Sequence, residues 1–145
     1  MTPSEERVRE GFLAQGFMRT LSAELTHVSE GECWISVPFS EGVTQQHGLF
    51  HGGVTATLAD NAAGFAGYSL MSEQEQPLSV EFKISFVAPA RGERLEARAK
   101  VVRAGRRLKH VQVNVYGVDG DGEALVGIAL ATIASTRSVQ HRSLP

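Results

Sequence analysis

In the second half of the chain, apolar residues fall at every other position. Leu78, Val80, Phe82, Ile84 and Phe86 predict one face of a strand whose other face carries Ser79, Glu81, Lys83 and Ser85. Leu95, Ala97, Ala99 and Val101 alternate with Glu96, Arg98 and Lys100, and Val111, Val113 and Val115 with His110, Gln112 and Asn114, predicting two more strands with one wet face each. Asp119-Gly120-Asp121-Gly122 has hairpin-turn chemistry and leads into 124–135, which is apolar on both faces and so central or covered by a partner. Earlier, 21–28 and 32–38 predict a hairpin around Ser29-Glu30-Gly31. The period lengthens to that of a helix twice. Val8, Phe12 and Leu13 predict a short amphipathic helix over 4–15 that caps an edge of the core. After a Gly-containing loop over 40–51, residues 52–71 carry one charge, Asp60, and predict a helix that is apolar on nearly every side and therefore buried.

An antiparallel sheet of amphipathic strands needs an apolar cover, and the helix from Gly52 is the only long one. The expected class is α+β, one sheet wrapped around one central helix, in a single domain over 1–136 with an aperiodic tail at 137–145. A chain of 145 residues suffices for one core without metal or disulfide staples. The net charge of −2 argues against nonspecific nucleic-acid binding, but eight of the fourteen Lys and Arg residues lie between Arg91 and Lys109, a local cationic region suited to a small anionic ligand. Cys33 is the single cysteine, the first residues carry acids where a secretory leader needs an apolar run, and no stretch reaches membrane-spanning length. These features lead to the expectation of a cytoplasmic protein without membrane partners.

Asp60 requires a partner or a cleft, because burying an unpaired carboxylate costs several kcal/mol. A satisfied core acid bonded to Thr57, Asn61 or a neighbouring strand meets that requirement as well as a catalytic group does. His51-Gly52-Gly53 opens the same helix, where free N–H groups and the helix dipole favour negative charge and can polarise a carbonyl; the glycines equally suit a tight turn. From Gly52 to Asp60 is about 12 Å along a helix, whereas a general base must come within about 3 Å of its proton. One helix cannot present both groups to one carbonyl. If they act together, a second copy must supply the Asp, and a twofold dimer would hold two composite sites.

The segment QQHGLFHGGVTATLADNAAG, with HGG, four residues, then Leu-x-Asp and a Gly three before the His, resembles the phenylacetate-pathway (PaaI-like) branch of hotdog-fold acyl-CoA thioesterases, as does the strand text SVEFKISFVAPARGERL. The resemblance implies a hotdog fold and hydrolysis of aryl or medium-chain acyl-CoA. It implies that the Gly52 N–H contacts the thioester oxygen and that Asp60 of the facing subunit is general base or nucleophile. His51 would position the thioester, and Ser79 would match a position that holds the attacking water in some relatives. Gln45 stands where relatives usually have Asn, with Gln46 as a neighbouring rival. The acyl pocket would draw on side chains such as Phe50, Leu58, Phe65, Tyr68 and Leu70. Arg103, Arg106, Arg107 and Lys109 are candidates for the CoA phosphates, or else form a solvated basic edge. No cofactor or metal is implied, and the expected assembly is a homodimer, paired into a tetramer. Two other activities use this fold: a 3-hydroxyacyl or enoyl thioester dehydratase-hydratase, which usually adds a catalytic His, and a noncatalytic acyl-CoA binding protein, for which this chain offers no signalling domain.

Overall fold

The computed structural model describes residues 1–137, so the expected tail lies, but for Arg137, outside the described residues. Helix α1 (Pro3–Leu13) opens with a capping box: Thr2 Oγ1 accepts from the Glu5 N–H and Glu5 Oε2 from the Thr2 N–H. It buries Val8 and Phe12. The chain then bends into a five-residue helix, α2 (Gly16–Thr20), too short to show a period and absent from the expectation. Because α2 and Leu21 use the residues before it, strand β1 (Glu24–Ser29) starts later than expected. It pairs with β2 (Glu32–Pro38) around Gly31, whose φ of 77° suits a residue without a side chain.

Helix α3 (Gly52–Tyr68) is the central helix. It ends before Met71: the Ser69 N–H makes the last helical bond, to the Phe65 carbonyl, after which Leu70 and Met71 bond only three residues back, and the Ser69 hydroxyl donates to the Ala66 carbonyl at 2.7 Å and accepts from the Gly31 N–H at 2.8 Å. Strands β3 (Glu75–Phe86), β4 (Arg94–Ala104), β5 (Leu108–Asp119) and β6 (Gly122–Arg137) complete a six-stranded antiparallel sheet of order β1-β2-β4-β5-β6-β3. The doubly apolar strand, β6, lies between β5 and β3. Its Ala129, Ala131 and Ile133 face α3 with Val111, Val113 and Val115 of β5, while Ile128 and Leu130 face outward and are exposed. Leu58, Ala62 and Ala66 of α3 belong to the same buried core, where each Å² of apolar surface removed from water contributes about 25 cal/mol.

One expectation fails in β3. The alternation placed Leu78 and Val80 on one face with Phe82, Ile84 and Phe86, but the register shifts between Ser79 and Glu81. Val80 is the extra residue of a bulge, so Ser79 pairs with the inward Ile133 and turns toward α3, while Leu78 turns away. Bulges re-aim side chains in this manner, and a period-two pattern cannot reveal them. Leu78 and Val80 are each 58% exposed.

Candidate active site

Two groups of polar atoms lie along α3. At its N-terminus His51 is the N-cap, its Nδ1 accepting from the Gly53 N–H at 2.8 Å. In the neutral ring the proton therefore sits on Nε2. A Cβ on Gly53 would fall 2.9 Å from His51 Nδ1, so Gly53 is the glycine that the cap requires. At Gly52 an added Cβ would meet only the Phe86 ring, at 3.4 Å, and among the described residues no acceptor is placed for the Gly52 N–H. The N–H of a first helical residue has no intrahelical partner and lies at the positive end of the dipole, as a developing oxyanion requires.

Gln45 borders the same depression of about 190 Å³, together with Phe50, Gly52, Thr55 and Phe86. Its Oε1 accepts from the backbone N–H groups of His47 and Leu49, which leaves the amide nitrogen as the free donor. Gln46 is exposed and does not border this depression, so of the two glutamines only Gln45 shares the cleft with Gly52.

The second group is centred on Asp60, half-buried in the middle of α3, whose Oδ1 accepts from the Ser79 hydroxyl at 2.7 Å. The partner is thus a strand residue; Thr57 bonds back to the Gly53 carbonyl and Asn61 donates to Gln15 Oε1 at 2.9 Å. The carboxylate opens onto a depression of about 160 Å³ bordered by Gln15, Asn61, Gly64, Phe65, Pro77 and Ser79. Asp60 therefore has both a bonded partner and a cleft. The structure brings Asp60 to Ser79 and Gln45 to Gly52, while the two groups stay apart by about 12 Å of helix. Gln15 escaped the sequence reading, since it sits at a helix end with no motif around it, and Asn61, considered there as a partner for Asp60, bonds to Gln15 instead.

Of the expected pocket residues, Phe50 and Phe65 border these depressions, Leu58 and Tyr68 belong to the core, and Leu70 is exposed. Among the four basic candidates, Arg103, Arg106 and Arg107 are exposed, but Lys109 is only 5% exposed, on the inward face of β5. Its Nζ donates to Ser135 Oγ at 2.8 Å and to the Arg106 carbonyl at 3.4 Å, which ties it to the β5–β6 layer. Burial pushes the Cys33 thiol well above its ordinary range, so it is no nucleophile. Among the described residues no three His, Cys, Asp or Glu side chains are grouped to hold a metal ion, and no helix is long and apolar enough to cross a membrane.

Known proteins share this fold. Residues 47–124 match the sequence profile of the Thioesterase superfamily. The crystal structure of a thioesterase family protein from Silicibacter pomeroyi superposes with a TM-score of 0.90 at 36% identity, over 93% of this chain and 99% of that one. The 1,4-dihydroxy-2-naphthoyl-CoA hydrolase of Listeria monocytogenes is 27% identical over 82% of this chain and 94% of its own length. The PaaI protein of the E. coli phenylacetic acid degradation operon has the same fold, with a TM-score of 0.81 at 18% identity over 94% of each chain. Matched by that profile over more than half of its length and folded as a hotdog like these relatives, the chain belongs to the Thioesterase superfamily and is a thioester hydrolase.

Proposed function

We propose that the protein hydrolyses acyl-CoA thioesters, with aryl or medium-chain acyl groups, at composite sites built by two copies of the chain. The observation that carries this reading is the separation on α3 of an open helix N-terminus at Gly52 from the Asp60–Ser79 pair, about 12 Å away. A second α3 running antiparallel beside the first would bring the partner's Asp60 to Gly52. Edge strand β3 supports such a dimer: it is 12 residues long, it closes one side of the sheet, and Leu78, Val80, Phe82 and Phe86 are exposed along it. A long apolar edge is a template for pairing with another strand. We further propose that such dimers pair into tetramers.

In this reaction the thioester oxygen accepts from the Gly52 N–H, with Gln45 Nε2 as an adjacent donor and His51 fixing the helix start. Asp60 takes a proton from water as the water oxygen bonds to the carbonyl carbon; the C–S bond then breaks and the thiolate leaves with a proton. Direct attack by Asp60 Oδ2 would pass through an anhydride, and one turnover in H₂¹⁸O distinguishes the routes by labelling Asp60. Ser79 orients the carboxylate. Exposed Arg103, Arg106 and Arg107 are the proposed contacts for the CoA phosphates. Lys109 was a fourth candidate, and its two bonds leave it a supporting role. The chemistry calls for no cofactor, and a single buried cysteine fits work in the cytoplasm.

The test is hydrolysis of a panel of aryl and medium-chain acyl-CoAs by wild type and Asp60→Asn. A loss of at least about 100-fold in kcat/KM with the fold intact supports the role of Asp60, and equal rates refute it. For the composite site, Val80→Lys with Phe82→Lys should break the β3-edge dimer, lowering the mass seen by light scattering and abolishing turnover together, and a species of lowered mass with full turnover refutes it.

A further inference from the structure

Helix α2 is five residues long and has no side-chain bond at its N-cap, so it cannot hold its own conformation. Contacts beyond its own turn fix it, one of them Arg19 Nη1 donating to the Leu13 carbonyl at 2.7 Å. Met18 is buried in the core, and Gln15, the residue that starts α2, accepts from Asn61 Nδ2 of α3 at 2.9 Å. With Met18 turned inward, Phe17 turns outward and is 57% exposed.

The position of that ring is informative. Phe17 borders a depression along His51, Gly53, Val54 and Thr57, and also the adjoining one along Thr57, Asp60, Asn61 and Gln15. Thr57 belongs to both, so they form one groove on the open face of α3. Its floor is made of the small residues Gly53 and Thr57, its wall is Phe17, and Asp60 lies at one end. An aromatic ring left in water beside a carboxylate gains free energy when an apolar group displaces that water.

We propose that Phe17 is a specificity-determining residue whose ring packs on the acyl group, favouring acyl groups of aryl size over acetyl, and that Asn61 acts through Gln15 to position it. The inference rests on the acyl-CoA hydrolase reading of the same site. A short acyl group leaves the ring wet, whereas phenylacetyl covers it. In the proposed composite site Asp60 acts on the carbonyl held at the partner's Gly52, so the groove that runs from Asp60 to Phe17 starts at the reacting carbonyl, and the acyl group is its occupant.

The experiment measures kcat and KM for acetyl-CoA, hexanoyl-CoA and phenylacetyl-CoA with wild type, Phe17→Ala, Phe17→Leu and Asn61→Ala, with mass by light scattering. Phe17→Ala should lower kcat/KM for phenylacetyl-CoA at least about tenfold more than for acetyl-CoA, mainly through KM. Phe17→Leu should lie between it and wild type, and Asn61→Ala should shift the same ratio in the same direction. An equal loss on all three substrates would make Phe17 merely structural, and an unchanged ratio with an altered mass would mean that a partner copy covers the ring; either overturns the inference. Should wild type hydrolyse none of the three, the hydrolase reading itself falls, whereas turnover without the selectivity change removes only the role of Phe17.

Discussion

The bond between Ser79 and Asp60 makes these residues one unit, and a double-mutant cycle tests that unit directly. The perturbations are Asp60→Asn, Ser79→Ala and the pair together. A hydroxyl on a carboxylate at 2.7 Å is a charge-assisted bond worth about 1.5–3 kcal/mol, but Ser79 is exposed and water can replace it, so the net effect on folding should be about 1 kcal/mol. Its effect on catalysis should be larger in consequence, because the hydroxyl holds the carboxylate in the rotamer that faces the cleft. Ser79→Ala should lower kcat/KM about 5- to 30-fold, or about 1–2 kcal/mol of transition-state stabilisation. In the Asp60→Asn background the same change should cost less than about twofold, since there is no carboxylate left to orient. Thioester cleavage followed with a thiol reagent gives the four rate constants, and urea denaturation shows whether each variant is folded. Additive losses would refute the reasoning by showing that Ser79 acts independently of Asp60.

Three further outcomes follow from the packing. Gly53→Ala places a Cβ 2.9 Å from His51 Nδ1 and should lower stability by about 1 kcal/mol through loss of the cap, read as a fall in the thermal midpoint, and His51→Ala in the Gly53→Ala background should then cost little more. A Cβ at Gly117 would lie 1.9 Å from the Arg91 carbonyl oxygen, an approach that only backbone movement relieves, so Gly117→Ala should destabilise by about 2 kcal/mol or more in urea; an unchanged midpoint would refute the close approach. Arg98 stacks between Trp34 and Tyr116 and forks onto Glu123, whose carboxyl it holds below the usual range. A carboxylate with a lowered folded pKa stabilises above its unfolded value of 4.5 and loses that contribution as pH falls through the folded value, so wild type should lose its stability advantage over Glu123→Gln as the pH is taken below about 4.5.

The site was partly legible in the sequence for reasons that lie in single residues. Asp60 is the one charge among 52–68, and His51-Gly52-Gly53 opens the same apolar run, so helix, cap and carboxylate could all be read from local pattern. The spacing of Gly52 and Asp60 follows from the fixed rise of a helix, which is why the proposal of a site shared by two copies could be argued without coordinates. Most strands were equally plain, because alternation with one wet face is a local property of β4 and β5.

What the sequence left open depends on contacts between distant segments. Ser79 reads as a polar-face residue beside Glu81 and Lys83, and only the bulge at Val80, set by pairing with β6, turns it to Asp60. Lys109 shares the parity of Val111 and Val113, yet its place in a run of arginines suggested a solvent-facing charge until Ser135 was seen to accept from it. Helix α2 is too short for a period, so the position of Phe17 and Gln15 over the face of α3 follows from the burial of Met18 and the bond to Asn61. The sequence by itself determined the elements and the chemistry of the central helix, since these depend on neighbours three or four positions away. The tertiary structure decided which side chains meet across them, because strand register and the seating of a short helix are settled by packing over long separations in the chain.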